Sequence, residues 1–373
     1  YSSAASDVYK RQLEDYDNDW IIWPVDGYGD ANRVRAMITQ QKPDILWFMT
    51  DPRFYGWLWQ IENEIRPRLP MVYYHVWDNY PAPHFNRPFY LSNDHIACIS
   101  KLTHDIVQTV VPEVESSYLP HAVDDEIFKP LPPAEVKQFR KEKGMEDKFV
   151  FFWNSRNARR KQTGTLLWWF KEFLDRIGHE NATLIMHTDT KDVHGQDLDA
   201  IVTELGLLNG EVMFSRDKVE ASSLAMMYNM VDCTINISDA EGFGLSTLES
   251  MSCGTPIIVS MTGGLQDQVT DGKNWFGIGI EPASKAVIGS LQVPYIYEDR
   301  LNKDDFINAL LKMYEMDPIE RAELGVRARG WTQKRFNFNT FISDWDALLT
   351  KIHNTRGSWE TRKSHKTYGV RAY

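Results

Sequence analysis

The sequence predicts an α/β protein built from two domains, each a parallel sheet covered by helices. Short apolar segments of strand length alternate with amphipathic segments of helix length along most of the chain. A length of 373 residues exceeds what one ordinary hydrophobic core holds. Pro130, Pro132 and Pro133 interrupt the alternation, which indicates a boundary between two domains at that point.

The first domain is predicted to span residues 13–130. Residues 1–12 have no apolar periodicity and no secretion signal, so they are expected to be a disordered or foreign leader. Apolar segments predict strands at 20–24, 45–49, 71–76, 95–100 and 117–119. Amphipathic segments predict helices at 30–41, 54–66 and 101–110. This alternation is typical of a parallel sheet with helices on its faces.

The second domain is predicted to span residues 131–336. Strands are expected at 148–153, 183–187, 212–215, 233–237, 257–260 and 276–281, with an irregular segment at 282–299. Helices are expected at 134–143, 165–177, 197–205, 219–230, 303–316, 319–336 and 338–353. The last part of the chain, residues 337–373, is expected to hold the final helix and a loose basic tail from residue 356.

Composition and charge exclude several classes of function. The sequence has no run of 18 apolar residues, so it predicts no transmembrane segment, although peripheral membrane contact stays open. A net charge of −11 repels phosphate backbones and argues against a nucleic-acid partner. Cys98, Cys233 and Cys253 lie in apolar surroundings and are expected to be reduced core residues. A cytoplasmic location is therefore expected.

The chain is organised around residues 231–264, which read as a strand, a polar turn, a helix, a second strand and a second glycine turn. Gly242 and Gly244 let the backbone approach a ligand, and the helix that starts near Ser246 offers free N–H groups suited to phosphate. Glu241 and Glu249 flank this anion site, and carboxylates accept hydrogen bonds from hydroxyl groups. Phosphate together with hydroxyls indicates a sugar nucleotide, and both glycine turns are expected to face it.

Each of the two glutamates also has an ordinary structural explanation. Glu249 follows Ser246 by three residues, which is the spacing of a helix capping box. Glu241 could be a solvated loop charge, and a pair of glutamates at this spacing arises by chance about once in a chain of this length. The pair alone therefore does not establish a binding site.

The longer string EGFGLSTLESMSCGTPIIVSMTGG resembles the donor-site signature of family 4 (group 1) glycosyltransferases of the GT-B fold. The resemblance implies two Rossmann-like domains that face each other across a cleft, with the last helix crossing back to the first domain. It also implies roles for residues of the turn: Glu241 contacts the donor sugar, Glu249 binds the ribose, and the diphosphate is held by Gly242, Phe243, Gly244 and Leu245.

A basic run, NSRNARRKQTG, follows the first strand of the second domain. Its cations could form a solvated turn at a helix start, but Arg156 and Lys161 have the spacing of the phosphate-binding pair of the same family. The resemblance therefore implies that both cations stabilise the departing diphosphate. Charge-assisted hydrogen bonds of this kind contribute about 1.5–3 kcal/mol each.

The loop YYHVWDNY at the end of the third strand contains His75 and Asp78. A lone histidine after an apolar strand is more often packed or capping than catalytic. Here its position resembles that of the family's first-domain histidine, so His75 is expected to open into the cleft and approach the donor sugar. The family's glycine-rich loop near the first strand has no counterpart before Trp20, which suggests a truncated or fused start.

These observations predict a glycosyltransferase that moves a hexose from a nucleoside diphosphate sugar to a glycan, lipid-linked or small-molecule hydroxyl acceptor. The resemblance implies retention of configuration and neither a metal ion nor a cofactor. His187, Asp189, Asp192 and His194 could be imagined as a metal site, but a polar loop explains them. Three alternatives stay open: a GT-B epimerase or phosphorylase, a non-catalytic nucleotide-sugar binder, and a nucleic-acid glucosyltransferase, which the acidic charge disfavours.

Overall fold

A computed structural model describes residues 25–363 and 365–369. The predicted leader at 1–12 and the predicted strand at 20–24 lie outside the described residues. Two parallel sheets, at residues 46–118 and 149–280, lie on either side of the predicted boundary at Pro130. The predicted parallel α/β architecture is confirmed.

The first sheet has four parallel strands in the order β1-β2-β3-β4. Its strands are β1 (Leu46–Thr50), β2 (Met71–His75), β3 (His95–Cys98) and β4 (Ser116–Tyr118). Its helices are α1 (Ala31–Gln41), α2 (Pro52–Gln60), α3 (Glu62–Ile65), α4 (Arg87–Leu91) and α5 (Lys101–Val110). The single helix expected at 54–66 is therefore two helices, and α4 was not predicted. All five residues of β2 are buried, as helices covering both faces of a parallel sheet require.

The second sheet has six parallel strands in the order β10-β9-β8-β5-β6-β7. Its strands are β5 (Phe149–Asn154), β6 (Ala182–His187), β7 (Val212–Ser215), β8 (Cys233–Asn236), β9 (Ile257–Ser260) and β10 (Ile278–Ile280). The strand order reverses between β5 and β8, and loops beyond such a reversal form the ligand crevice of α/β sheets.

Helices cover both faces of the second sheet. They are α6 (Pro133–Glu142), α7 (Thr163–Ile177), α8 (Leu198–Glu204), α9 (Ala221–Met230), α10 (Leu245–Ser252), α11 (Leu265–Val269), α12 (Lys303–Glu315) and α13 (Pro318–Arg335). The short helix α11 was not predicted. Cys98, Cys233 and Cys253 are buried and form no disulfide.

The segment at 282–299, predicted to be irregular, contains an antiparallel hairpin of β11 (Ser284–Ile288) and β12 (Ile296–Arg300). The first sheet with helices α1–α5 is called the first unit, and the second sheet with helices α6–α13 is called the second unit. The hairpin leaves the second sheet and packs on the first unit, where Val293 joins the buried apolar cluster. The Tyr297 N–H donates to the Tyr80 carbonyl at 2.5 Å, and Asn79 Nδ2 donates to the Tyr297 carbonyl at 2.7 Å. The hairpin thus bridges the two sheets.

The last helix, α14 (Phe338–Arg356), returns to the first unit as expected. Trp345 makes edge contacts with Trp47 and Tyr74, with ring centroids 5.6 and 5.0 Å apart. Aromatic pairs at these distances contribute beyond their buried area. The final helix therefore fastens the two units together, and the chain returns to the first unit beside its outward crossing, where the Val123 N–H donates to the Phe336 carbonyl at 3.1 Å.

The described part of the tail after α14, residues 357–363 and 365–369, is docked on the first unit, so the prediction of a loose tail is wrong for these residues. Arg362 pairs with Asp94 at 2.7 Å, and both side chains are almost fully buried. The backbone N–H groups of Tyr368 and Gly369 donate to Glu62 at 2.5 and 2.8 Å. Buried carboxylates need partners. Glu62 and Asp94 both pair with Arg66, and the tail supplies further partners from 306 and 268 positions away in the sequence.

No helix within residues 25–363 and 365–369 is long and apolar enough to span a membrane.

Candidate active site

A cavity of about 700 Å³ lies between the two units. The loops that follow β1, β2, β5 and β8 line it, together with the hairpin β11–β12. Because the carboxyl ends of these parallel strands converge there, the cavity occupies the position where α/β proteins bind ligands.

The turn after β8 forms one wall of the cavity, as the sequence predicted. Gly242, Phe243, Gly244 and Leu245 all line it, and Gly244 has a φ of +93°, which favours glycine. A Cβ atom at Gly242 would lie 3.0 Å from the Val76 carbonyl oxygen. In the described part of the chain, no N–H group from Gly242 to Ser246 donates to a protein acceptor. These amides are available to an anion.

The second glycine turn, residues 262–264, does not line the cavity, so the expectation that both turns face the ligand is wrong. A Cβ atom at Gly263 would lie 1.9 Å from the Glu241 carbonyl oxygen, and the Gly264 N–H donates to that oxygen at 2.9 Å. The second turn therefore packs against the backbone of the first turn. This close contact explains why both turns contain glycine.

Lys161 and Glu241 both line the cavity and form a buried ion pair with each other, which the sequence did not predict. Lys161 lies in a short 3₁₀ turn, Arg159–Lys161, that follows β5. Asn236 Nδ2 and Ser238 Oγ also donate to Glu241, at 3.4 and 3.5 Å. Burial opposes ionisation of Glu241, but Lys161 and Arg160 outweigh it and lower the pKa of this carboxyl. Glu241 is therefore a carboxylate at neutral pH.

Arg156 does not line the cavity, contrary to the prediction. Its guanidinium makes two hydrogen bonds to Asp192, at 2.6 and 3.0 Å, and its side chain is 61% exposed. The Asp192 loop is held close by a bond from the Arg159 N–H to the His194 carbonyl. Arg156 therefore has a bidentate carboxylate partner on the second unit's own surface.

Arg160 lines the cavity in its place and was missed by the sequence analysis. Its guanidinium donates to the Ala240 carbonyl and lies 3.9 Å from Glu241. The sequence did contain a signal for Arg160, because this residue immediately precedes Lys161 in the basic run. The spacing to Lys161 indicated Arg156, but the 3₁₀ turn brings Arg160 to the glycine turn.

His75 is not in the cavity, so its predicted opening into the cleft is wrong. It is the last residue of β2, is fully buried, and its Nε2 lies 2.6 Å from the Tyr90 hydroxyl. Burial lowers the pKa of His75 to about 3, so the imidazole is neutral. The cavity is lined by the residues that follow, Val76, Trp77, Asp78 and Asn79.

Glu249 does not line the cavity but is connected to its wall. Its Oε2 accepts a hydrogen bond from the Tyr228 hydroxyl at 2.7 Å, and Asn154 Nδ2 donates to the same hydroxyl at 2.9 Å. Asn154 lines the cavity. Burial raises the pKa of Glu249 to about 7. Helix α10 has Gly244 as its N-cap and no capping side chain among the described residues, so the capping-box alternative for Glu249 is not realised.

The hairpin supplies a further wall that sequence reasoning could not anticipate. Glu298 of β12 lines the cavity and makes two hydrogen bonds with Arg159, at 2.9 and 2.6 Å. The Asp299 N–H donates to the Asp239 carbonyl at 2.9 Å, which fixes the hairpin to the turn after β8. The predicted irregular segment thus completes the site.

Among the described residues, no group of three or more His, Cys, Asp or Glu side chains could hold a metal ion. The absence of a metal or cofactor requirement stays a prediction.

Residues 135–289 match the family model described as glycosyl transferases group 1. A mannosyltransferase from Mycolicibacterium smegmatis, named as GDP-mannose-dependent alpha-(1-6)-phosphatidylinositol monomannoside mannosyltransferase, is 25% identical over 61% of this chain and 54% of its own. A D-inositol 3-phosphate glycosyltransferase from Thermomonospora curvata is 34% identical over 25% of this chain and 21% of its own. The chain therefore spans between about a fifth and about half of these relatives.

Solved structures show the same fold at low identity. Anabaena HepE, in complex with UDP and glucose, superposes with a TM-score of 0.70 at 17% identity, covering 92% of this chain and 89% of its own. Sucrose-phosphate synthase from Thermosynechococcus elongatus gives 0.68 at 17% identity, covering 87% and 77%. The chain therefore has the GT-B fold, and its residues 135–289 carry the sequence pattern of group 1 glycosyl transferases.

Proposed function

We propose that this protein is a glycosyltransferase that moves a hexose from a nucleoside diphosphate sugar to a hydroxyl acceptor. One observation carries the proposal: the N–H groups between Gly242 and Ser246, which donate to no acceptor among the described residues, share a cavity with Arg160, Lys161 and Glu241. Free amides at a helix start bind a phosphate, cations neutralise its charge, and a carboxylate binds sugar hydroxyls.

The diphosphate of the donor lies against the turn, with Arg160 and Lys161 beside it. When the bond between the sugar carbon and the phosphate oxygen breaks, its electron pair stays on the departing nucleoside diphosphate. The positive charges and the amide dipoles stabilise that developing charge more than they stabilise the bound donor, and this difference accelerates the reaction. Arg160 takes the role that the sequence assigned to Arg156.

The two glutamates bind hydroxyl groups at the two ends of the donor. Glu241 is ionised and faces the cavity, which suits a carboxylate that accepts hydrogen bonds from the sugar. Glu249 is assigned to the ribose, and binding it requires Glu249 to exchange its hydrogen bond from the Tyr228 hydroxyl for one from the ribose. Asn154, which lines the cavity, is bonded to the same hydroxyl.

The finer assignment is a family 4 enzyme that retains the anomeric configuration and needs no metal ion. In a retaining transfer of this kind, an oxygen of the departing phosphate takes the proton of the acceptor hydroxyl, so no protein base is required. The acceptor is a glycan, a lipid-linked sugar or a small molecule. The match of residues 135–289 to the group 1 family model supports this assignment.

A thermal-shift screen against UDP, GDP, ADP and their sugars, with a chelator present, tests donor binding. We expect one nucleotide to raise the melting temperature without added metal, because a ligand that binds only the folded state stabilises it. Nucleotide release that requires an acceptor then establishes transfer. An unchanged donor with every acceptor would instead indicate a nucleotide-sugar binder. Conversion of the donor into a different nucleotide sugar would indicate an epimerase, and release of the nucleotide without an acceptor would indicate transfer of the sugar to water.

Variants of the ion pair test the residues of the site. Glu241→Ala and Lys161→Ala should each abolish turnover. Glu323→Ala, at an exposed position of α13, is the matched control and should keep it. Folding of all three variants is checked by circular dichroism. Unchanged turnover in both site variants would contradict the placement of the donor.

A further inference from the structure

Asp78 differs from the other acidic side chains of the cavity in its hydrogen-bond and ion-pair partners. Asp51 is bonded to Arg53 at 2.9 Å, Glu298 to Arg159 at 2.6 Å, and Glu241 to Lys161. Asp78 also lines the cavity. Within residues 25–363 and 365–369, no protein group makes a hydrogen bond or ion pair with its side chain. Asp78 is half-buried in the cavity wall, so its carboxylate, which has no partner among the described residues, is available to a ligand there.

The loop that carries Asp78 is held rigidly from both units. Trp77 Nε1 donates to the Asn79 carbonyl at 2.7 Å, and Thr103 Oγ1 donates to the Trp77 carbonyl at 2.7 Å. Asn79 is in turn bonded to the backbone of Tyr297 in the hairpin at 2.7 Å. The bonds on either side of Asp78 fix its backbone, so the side chain presents its oxygens to the cavity from a defined position.

The charged groups around Asp78 indicate which part of a substrate its carboxylate binds. Arg160 and Lys161 attract the Asp78 carboxyl electrostatically, whereas Glu241 and Asp51 repel it. A carboxylate repels a diphosphate but accepts a hydrogen bond from a neutral hydroxyl. The groups assigned to the donor all belong to the second unit, whereas Asp78 belongs to the first. The wall that Asp78 occupies therefore faces the donor from the opposite side.

We propose that Asp78 binds a hydroxyl group of the acceptor and orients it toward the donor sugar, a role that rests on the proposed transferase function. The hydroxyl donates its hydrogen bond to the ionised carboxylate, and no covalent step passes through Asp78. His75 cannot take this role because it is enclosed in the core of the first unit. Strand β12 contacts both the Asp78 loop and Arg159, so it links the cavity wall of the first unit to that of the second.

Asp78→Asn tests this assignment, with Asp346→Asn on the exposed side of α14 as the matched control. UDP-glucose and GDP-mannose serve as donors, and glucose, glucose 6-phosphate, inositol and inositol phosphate as acceptors. We expect kcat/KM for the acceptor to fall about 10- to 100-fold, as loss of a hydrogen bond to a charged group implies. The Kd of the donor should stay within about two-fold, because Asp78 does not contact it.

The pH profile separates substrate binding from a merely structural role. Burial raises the pKa of Asp78 to about 6, so the carboxylate is lost as the pH falls through that value. We expect acceptor kcat/KM of the parent protein to fall below about pH 6, and this limb to be absent in Asp78→Asn. If Asp78→Asn does not fold, Asp78→Ser is measured in its place.

Unchanged acceptor kcat/KM in Asp78→Asn would overturn the assignment while leaving the proposed function intact. A weaker donor Kd would also overturn it, because Asp78 would then contact the donor. If the parent protein binds neither donor and transfers to none of these acceptors, the proposed function fails first and the role of Asp78 fails with it.

Discussion

Replacing Glu249 with glutamine should stabilise the protein at alkaline pH. Burial raises the pKa of this carboxyl from 4.5 to about 7, so the folded state holds a proton that the unfolded state releases. The favourable contribution of the neutral carboxyl is complete below pH 4.5 and is lost as the pH rises through 7. Glutamine keeps the acceptor oxygen for the Tyr228 hydroxyl and carries no charge at any pH.

The expected gain in the free energy of unfolding follows from the difference between the two pKa values. A difference between 4.5 and about 7, at about 1.36 kcal/mol per pH unit, gives about 3 kcal/mol. The Glu249→Gln protein should therefore match the parent near pH 4.5 and exceed its free energy of unfolding by about 3 kcal/mol at pH 8. This corresponds to a rise of about 6–12 °C in the melting temperature of the second unit.

Urea and thermal unfolding between pH 5 and pH 8 measure this difference. Glu323→Gln, at an exposed position of α13, is the matched control and should differ little from the parent at every pH. A stability difference for Glu249→Gln that does not change with pH would refute the reasoning. A loss of stability at pH 8 would refute it more directly, since it would mean that the ionised carboxylate has a favourable partner.

Two further substitutions test contacts that hold the molecule together. Lys161→Met should cost about 3–5 kcal/mol in urea unfolding, because it leaves Glu241 buried without its lysine, and adding Glu241→Gln should recover most of that loss. A double variant as unstable as the single one would contradict the buried pair. Trp345→Ala should cost about 3–5 kcal/mol by removing the contacts with Trp47 and Tyr74, and an unchanged melting temperature would show that α14 does not dock there in solution.

The strands, the main helices and the glycine turn could be predicted from local sequence. Apolar runs such as FVFFW identify β5 because a parallel strand covered on both faces needs apolar residues throughout. Gly242 and Gly244 identify the turn because a positive φ and close backbone approach exclude larger residues. These signals depend only on neighbours in the chain.

Side-chain direction could not be predicted in the same way. All residues of β2 are apolar or aromatic up to His75, so no alternation tells which side of the sheet the imidazole enters. In the run RNARRK, the choice between Arg156 and Arg160 depends on a 3₁₀ turn and on Asp192, which lies 36 positions away from Arg156. The spacing to Lys161 alone therefore led to the wrong prediction, Arg156 instead of Arg160.

The hairpin and the tail depend on partners remote in sequence. Strand β12, IYEDR, is mostly polar, and its pairing with the Asn79 loop joins residues 218 positions apart. Arg362 donates a hydrogen bond to Asp94, which lies 268 positions earlier in the sequence. Such segments have little apolar periodicity of their own, so tertiary contacts decide their structure.

A crystal structure of the protein with the nucleoside diphosphate sugar that binds it most tightly tests the central claim most directly. We predict that the diphosphate oxygens accept hydrogen bonds from the N–H groups between Gly242 and Ser246, with Arg160 and Lys161 beside them and Arg156 still bonded to Asp192. A diphosphate bound elsewhere, with those N–H groups facing only water, would contradict the account.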